Sequence, residues 1–341
     1  MDVHILKTGQ TSCYDNSGNT IDCAGTWQDG ELQIGLSVPE PRFQLTENNA
    51  VLDAYSGLYW PRDLEDFPFP LSWQEAWEMM AKLNQEEYLG CSDWRLPTRR
   101  ELYSLINYGE KTPVLPLDHP FENVQQTWYW TSTTSAMYPD CAWYIHLAGG
   151  RMFWGRKDQF AMIWPVRGSS QIVSATGQDE CFDHKGTLLD SNQDLLYCAQ
   201  PTGVGWPNPR LMDVRQGILD RLTGLVWHHG TETGTEKTNW QQALSTVANL
   251  REQTGIAWHL PSINELESLV DASNHTPALP EEHTFNDVRE VYWSSTTSTY
   301  EPDWAYGLYM FKGAVGVGKK SQAEFYIWPI VRAKDTAREK L

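Results

Sequence analysis

The sequence predicts an α+β protein built from two tandem copies of one domain, each with two helices and a mainly antiparallel sheet with long loops. Three observations lead there. Matched blocks recur in one order at an offset of about 165 residues. Two stretches of helical periodicity follow an early strand in each copy. Aromatic and Thr-rich runs, separated by glycines, then close each copy as strands.

The matched blocks run from end to end. Thr8-Gly9-Gln10, Cys13 and Asp15 return as Thr176-Gly177-Gln178, Cys181 and Asp183. Asp53, Gly57-Leu58 and Trp60 return as Asp220, Gly224-Leu225 and Trp227. Trp94, Leu96-Pro97 and Glu101-Leu102 return as Trp258, Leu260-Pro261 and Glu265-Leu266. Tyr129-Trp130 with Thr134 returns as Tyr292-Trp293 with Thr297, and each copy closes on Ile163-Trp164-Pro165 with Arg167 or Ile327-Trp328-Pro329 with Arg332. With Gly168-Ser169-Ser170 as the linker, the expected parts are a Cys-containing loop segment (1–42), a first domain (43–168), a second Cys-containing segment (169–210), a second domain (211–333) and a tail (334–341).

Each element has a local cause. Trp73, Ala76, Trp77, Met80 and Leu83 lie at helical spacing, as do Trp240, Ala243, Leu244, Val247 and Leu250. Ser72 with Glu75 offers a capping box to the first helix, and Asn239 with Gln242 a weaker one. The second helix starts at Thr98 with Glu101, or Ser262 with Glu265, each just after a proline that discourages an earlier start. Its expected stripe is Leu102, Leu105 and Ile106, matched by Leu266, Leu269 and Val270. Strands are expected at Trp128–Thr134 and 142–147, and again at 291–297 and 305–310. The Ile-Trp-Pro segments end each copy, proline favouring a strand end or an edge.

Composition limits function. The net charge of −18 disfavours nucleic acid and anionic lipid, since phosphate binding depends on Lys and Arg. Two basic clusters, Arg151, Arg156 and Lys157, and Lys312, Lys319 and Lys320, are expected to be solvated loops. No run is long and apolar enough to span a membrane. Residues 1–9 lack the apolar core of a signal peptide, so an exported form would carry one upstream of Met1.

The six cysteines divide by comparison of the copies. Cys13 and Cys23 sit in a loop matched by that of Cys181 and Cys198, and each pair is expected to close its own loop. Cys91 and Cys141 are replaced together, by Gly255 and Trp304, as a bridged pair would be. Three disulfides imply an oxidising compartment. The alternative is free thiols in a cytosolic protein, with Cys91 and Cys141 unpaired.

Asp-x-x-x-Gly-Leu-x-Trp, a Trp-initiated helix, Trp-Arg-Leu-Pro-x-x-x-Glu-Leu, Tyr-Trp-Ser/Thr-Ser-Thr-Thr and a terminal Val-Arg together resemble the C-terminal domain of the Legionella collagen-like adhesin, over residues 43–168 and 211–332. Copy two departs from it with His259 in place of the Arg before Leu-Pro. The resemblance implies a C-type-lectin-like fold and an exported bacterial protein, periplasmic, secreted or on the cell surface, with an adhesive or ligand-binding role and no catalytic residues. It also suggests a sulfated polysaccharide partner, which the acidity opposes. The calcium motifs of C-type lectins are missing. Glu301-Pro302-Asp303 comes near one but lacks its amide, so calcium is the one cofactor candidate and none is expected.

Ten tryptophans, Trp60/Trp227, Trp73/Trp240, Trp94/Trp258, Trp130/Trp293 and Trp164/Trp328, recur between copies and are expected in the core. The unmatched Trp128, Trp143, Trp154 and Trp304 are the candidate ligand-binding residues, because exposed indoles anchor sugars and interfaces. His119 and His283 recur beside an acid, a pairing general acid–base chemistry uses, yet a packed loop histidine explains them as well. His228, His229 and His275 have no counterparts in copy one, and no hydrolase, metalloprotease, phosphate-loop or dinucleotide motif occurs. The function expected is therefore a non-catalytic binding or adhesion module of the cell envelope, with a glycan or envelope protein as partner. Its rivals are a structural part of an envelope assembly without a small ligand, and an enzyme of unfamiliar type related by fold to formylglycine-generating enzymes.

Overall fold

The order of elements repeats as the sequence does. In a computed structural model, which describes residues 5–190, 202–229 and 235–336, an N-terminal segment carries β1 (Cys13–Tyr14), β2 (Thr20–Ile21) and α1 (Asp29–Leu32). The first domain follows with β3 (Phe43–Leu45), β4 (Ala50–Asp53), β5 (Leu58–Pro61), α2 (Trp73–Gln85), α3 (Arg99–Tyr103), β6 (Trp128–Thr134), β7 (Cys141–His146) and β8 (Met152–Arg156). The second segment has β9 (Cys181–Phe182) and β10 (Leu188–Leu189). The second domain has β11 (Leu211–Val214), β12 (Gly217–Asp220), β13 (Leu225–Trp227), α4 (Trp240–Thr254), α5 (Ile263–Ser268), β14 (Tyr292–Thr297), β15 (Trp304–Tyr309), β16 (Ala314–Lys319) and β17 (Ile330–Arg332).

Each domain is α+β, with two antiparallel meanders and the two helices. In the first, β3-β4-β5 and β6-β7-β8 pair in sequence; in the second, β11-β12-β13 gains β17 as a fourth strand and β14-β15-β16 pair in sequence. The four helices of the two domains, α2 to α5, open on a capping box, the hydroxyl or amide of Ser72, Thr98, Asn239 or Ser262 accepting from the N3 amide while the N3 side chain reaches back. The second helices are shorter than the apolar stripe suggested. Leu105 and Ile106 lie beyond α3, and Leu269 and Val270 beyond α5, yet all four are buried.

The ten recurrent tryptophans are buried, as expected. The indole N–H of Trp73 donates to the Thr131 carbonyl at 2.9 Å, and that of Trp240 to the Ser294 carbonyl at 2.7 Å, so helix and strand are tied at the same point in each copy. Buried ion pairs repeat too. Arg42 forks onto Asp53 and Arg210 onto Asp220, each guanidinium also donating to the carbonyl of Ser104 or Ser268.

The closing arginines are not equivalent. Tyr59 bridges Arg167, whereas its counterpart Val226 faces Val331. Arg332 therefore stands at the place of Gly168, one residue on from where the sequence match put it.

The cysteine segments are exchanged relative to sequence order. The chain divides into one unit of Met1–Leu36 with Trp206–Leu341, and a second of Ser37–Gly205. Residues 1–36 thus belong with the second domain and residues 169–205 with the first, whereas 37–42 and 206–210 stay with the domains that follow them, so the segments expected at 1–42 and 169–210 are divided differently.

The same contacts hold both segments. The Gln10 side-chain amide accepts from the Thr297 N–H and donates to its carbonyl, and Gln178 does the same with Thr134. Lys320 Nζ donates to the Asp15 carbonyl at 3.4 Å, and Lys157 Nζ to the Asp183 carbonyl at 2.7 Å. Gly18 and Gly186 have positive φ (84° and 83°), and a Cβ on them would lie 2.9 Å from the Asp303 amide or 2.6 Å from the Asp140 amide. Asp29, on α1, adds a contact between Thr8 and Thr296 at 2.7 and 2.6 Å; burial, against those hydrogen bonds, raises its carboxyl to about 6.

Cys13 and Cys23 form a disulfide as expected. Cys181 is disulfide-bonded, and its expected partner Cys198 lies outside the described residues. Cys91 and Cys141 are free thiols, a correction to the third bridge. Cys91 ends the short turn after α2, near Leu89 and Asn48, while Cys141 opens β7 beside Asp140, and burial pushes its thiol up to about 11.

Candidate functional site

Strand alternation sorts the four candidate tryptophans. In β7, Trp143 and Ile145 point to the face covered by α3, and Tyr144 and His146 to the opposite face. Trp143 is only 2 % exposed, with the Arg99 guanidinium 4.0 Å above its ring and the Trp154 ring edge-on at 5.3 Å. It is core, which removes it as a ligand residue. Trp154 is half-buried, 6.0 Å from the exposed Tyr138. Trp304 is half-buried at the start of β15, opposite Lys319.

Trp128 is the candidate the fold develops into a site. It is half-buried and stacks on Tyr144 at 4.1 Å, with His146 edge-on at 4.7 Å; the buried Trp130 also stacks on Tyr144, at 5.3 Å. Cross-strand pairing places these rings, since Trp128 faces His146 and Trp130 faces Tyr144. Gly155, next along the same face, has no side chain; a Cβ there would lie 2.9 Å from the Tyr144 ring. The His146 imidazole is held neutral-leaning by burial, against its bond to the Ala148 carbonyl. The result is a row of aromatic rings, part of it open to solvent, that can stack on an apolar face of a ligand.

The second domain fills the corresponding space differently. Gly307 replaces Tyr144 opposite Trp293, and the buried Phe325 ring lies over it, 4.3 Å from Trp293. A Cβ on Gly307 or Gly318 would be 2.6 or 2.7 Å from that ring. The half-exposed row therefore belongs to the first domain. Tyr144 is not one of the tryptophans that the sequence marks by their absence from the other copy, but the alternation of β7 puts it on the face of Trp128.

The remaining candidates resolve into packing. His119 lies on Phe121 at 5.9 Å and His283 on Phe285 at 6.0 Å, and burial lowers both imidazoles, against Asp118 in the first case. Lys157 and Lys320 are buried, not solvated: each ammonium sits over an indole, Trp73 at 4.1 Å or Trp240 at 4.2 Å. Asp303 pairs with Lys319 at 3.9 Å, and its backbone seats Gly18. The Arg of the Trp-Arg-Leu-Pro block, Arg95, forks onto the capping-box Glu101, and His259 contacts the equivalent Glu265 through one ring nitrogen. Its role is to lock a helix start.

The comparisons agree with the repeat. Residues 49–167 and 216–331 each match the Lcl C-terminal domain, so the chain belongs to that family, with two copies in tandem. The cysteine segments lie outside both matched stretches. Neither the curated proteins nor the solved structures gave a match.

Proposed function

We propose that the protein is a non-catalytic binding module of the bacterial cell envelope that presents the Trp128–Tyr144 face of its first domain to a glycan. The stacked, half-exposed ring pair carries this reading, because pyranose rings bind by laying their C–H faces on aromatic ones. Membership of the Lcl C-terminal family supports the adhesive class. The Cys13–Cys23 disulfide fits an oxidising compartment, periplasmic or extracellular. The order of strand, two helices and a three-stranded meander supports the C-type-lectin-like fold that the family resemblance implies. Among the described residues no helix is long and apolar enough to cross a membrane.

Binding to an array of bacterial and host glycans, followed by titration of the best ligand, tests the proposal. Trp128→Ala with Tyr144→Ala is expected to weaken affinity about ten-fold or more, roughly 1.4 kcal/mol, with the melting transition retained. Glycan affinity unchanged in that folded double variant would refute the role of this face.

A further inference from the structure

The two halves differ at the position that pairs with the capping-box glutamate of the second helix. In the first half the Arg95 guanidinium forks onto Glu101, with both bonds at 2.7 Å, and donates to the Gly168 carbonyl at 2.8 Å. His259 occupies the same backbone position in the second half, since Arg95 bridges Val166 and His259 bridges Ile330. The imidazole is shorter. Its Nε2 contacts the Glu265 carboxylate at 3.2 and 3.4 Å, and the side chain extends no further.

In the second half a cavity opens beside the Glu265 carboxylate. Glu265 lines a cavity of about 330 Å³, together with Arg332, which stands at the place of Gly168. Ile5, Leu36 and Leu225 form apolar walls, and Lys334 joins Arg332 as a second cation on its lining. Glu265 is 2 % exposed. Burial pushes its carboxyl up, but His259 and the Ser262 cap outweigh that and hold it below the ordinary range, so it is an anion at neutral pH. Its Oε2 accepts from the Ser262 amide at 2.9 Å, and Oε1 has a long contact to His259 at 3.2 Å. An incoming donor thus finds free acceptor capacity.

We propose that this cavity binds a ligand carrying both a guanidinium and a carboxylate, as free arginine or a peptide ending in arginine does. The guanidinium takes against Glu265 the place that Arg95 takes against Glu101, because its planar fork matches two carboxylate oxygens. The aliphatic stem lies along Ile5, Leu36 and Leu225, and Arg332 and Lys334 meet the carboxylate. The site lies in the unit formed by the N-terminal segment and the second domain and does not depend on the glycan-binding proposal.

Calorimetric titration of the full chain with L-arginine, agmatine, L-lysine and a short peptide ending in arginine tests it. Saturable binding of arginine or of the peptide is expected, the stronger of the two identifying the source. Agmatine, without the carboxylate, and lysine, without the fork, should each bind at least about ten-fold more weakly. His259→Arg rebuilds the pair of the first half and should abolish binding while leaving the melting temperature at or above that of the parent. Leu36→Trp, at a partly exposed wall, should block the cavity independently. No saturable binding of either ligand, or undiminished binding in both folded variants, would overturn the proposal; agmatine binding as well as arginine would remove the carboxylate from it.

Discussion

Lys157 and Lys320 show how far a single side chain can depart from its sequence context. Both stand in basic clusters that suggest solvated loops, yet each is buried, with an indole beneath its ammonium and a segment carbonyl as acceptor. Burial depresses both to about 7, against nearby carboxylates that favour the charge. The unfolded value is 10.5, so between about 7 and 10.5 the unfolded chain binds more protons than the fold. Their contribution is complete above the unfolded value and is lost as pH falls through about 7. Urea midpoints are therefore expected to rise from pH 7 towards pH 10, and Lys157→Met with Lys320→Met should flatten that rise. An unchanged slope in the double variant would show that other groups produce it.

The helices were the most legible elements, because their starts are written locally. Ser72 with Glu75, Thr98 with Glu101, Asn239 with Gln242 and Ser262 with Glu265 all form the boxes their spacing implies. Removing one has a known scale: Thr98→Ala should cost about 1 kcal/mol, read as a lower denaturation midpoint of the first half, and Thr98→Ser should restore most of it. The helix ends were less legible, since Leu105 and Ile106 remain buried after α3 has stopped and so prolong an apolar stripe without prolonging the helix. The candidate site was legible in part. An unmatched Trp marks a difference between copies but not which face of a strand it occupies: Trp128 shares the more open face with Tyr144, while Trp143 lies under Arg99. Cys91 and Cys141 mislead for a similar reason, as joint replacement records a shared history, not a bond.

At the scale of the whole chain, the order of sequence and the order of assembly differ. Each cysteine segment is held by the domain of the other repeat, through Gln10 on Thr297 and Gln178 on Thr134. Nothing in the sequence reveals this, because the acceptors and donors are backbone groups that every residue carries. What the sequence shows is the Thr-Gly-Gln motif itself, and the fold gives it a meaning: a side-chain amide that covers and hydrogen-bonds a strand end, reinforced by a buried lysine and a seated glycine. Hydrogen exchange on Gln10→Ala tests this arrangement most directly. Faster exchange is expected around Thr297 and β14 in the second domain, with β6 and Thr134 unaffected; loss of protection in β6 of the first domain instead, with Thr297 unchanged, would contradict it.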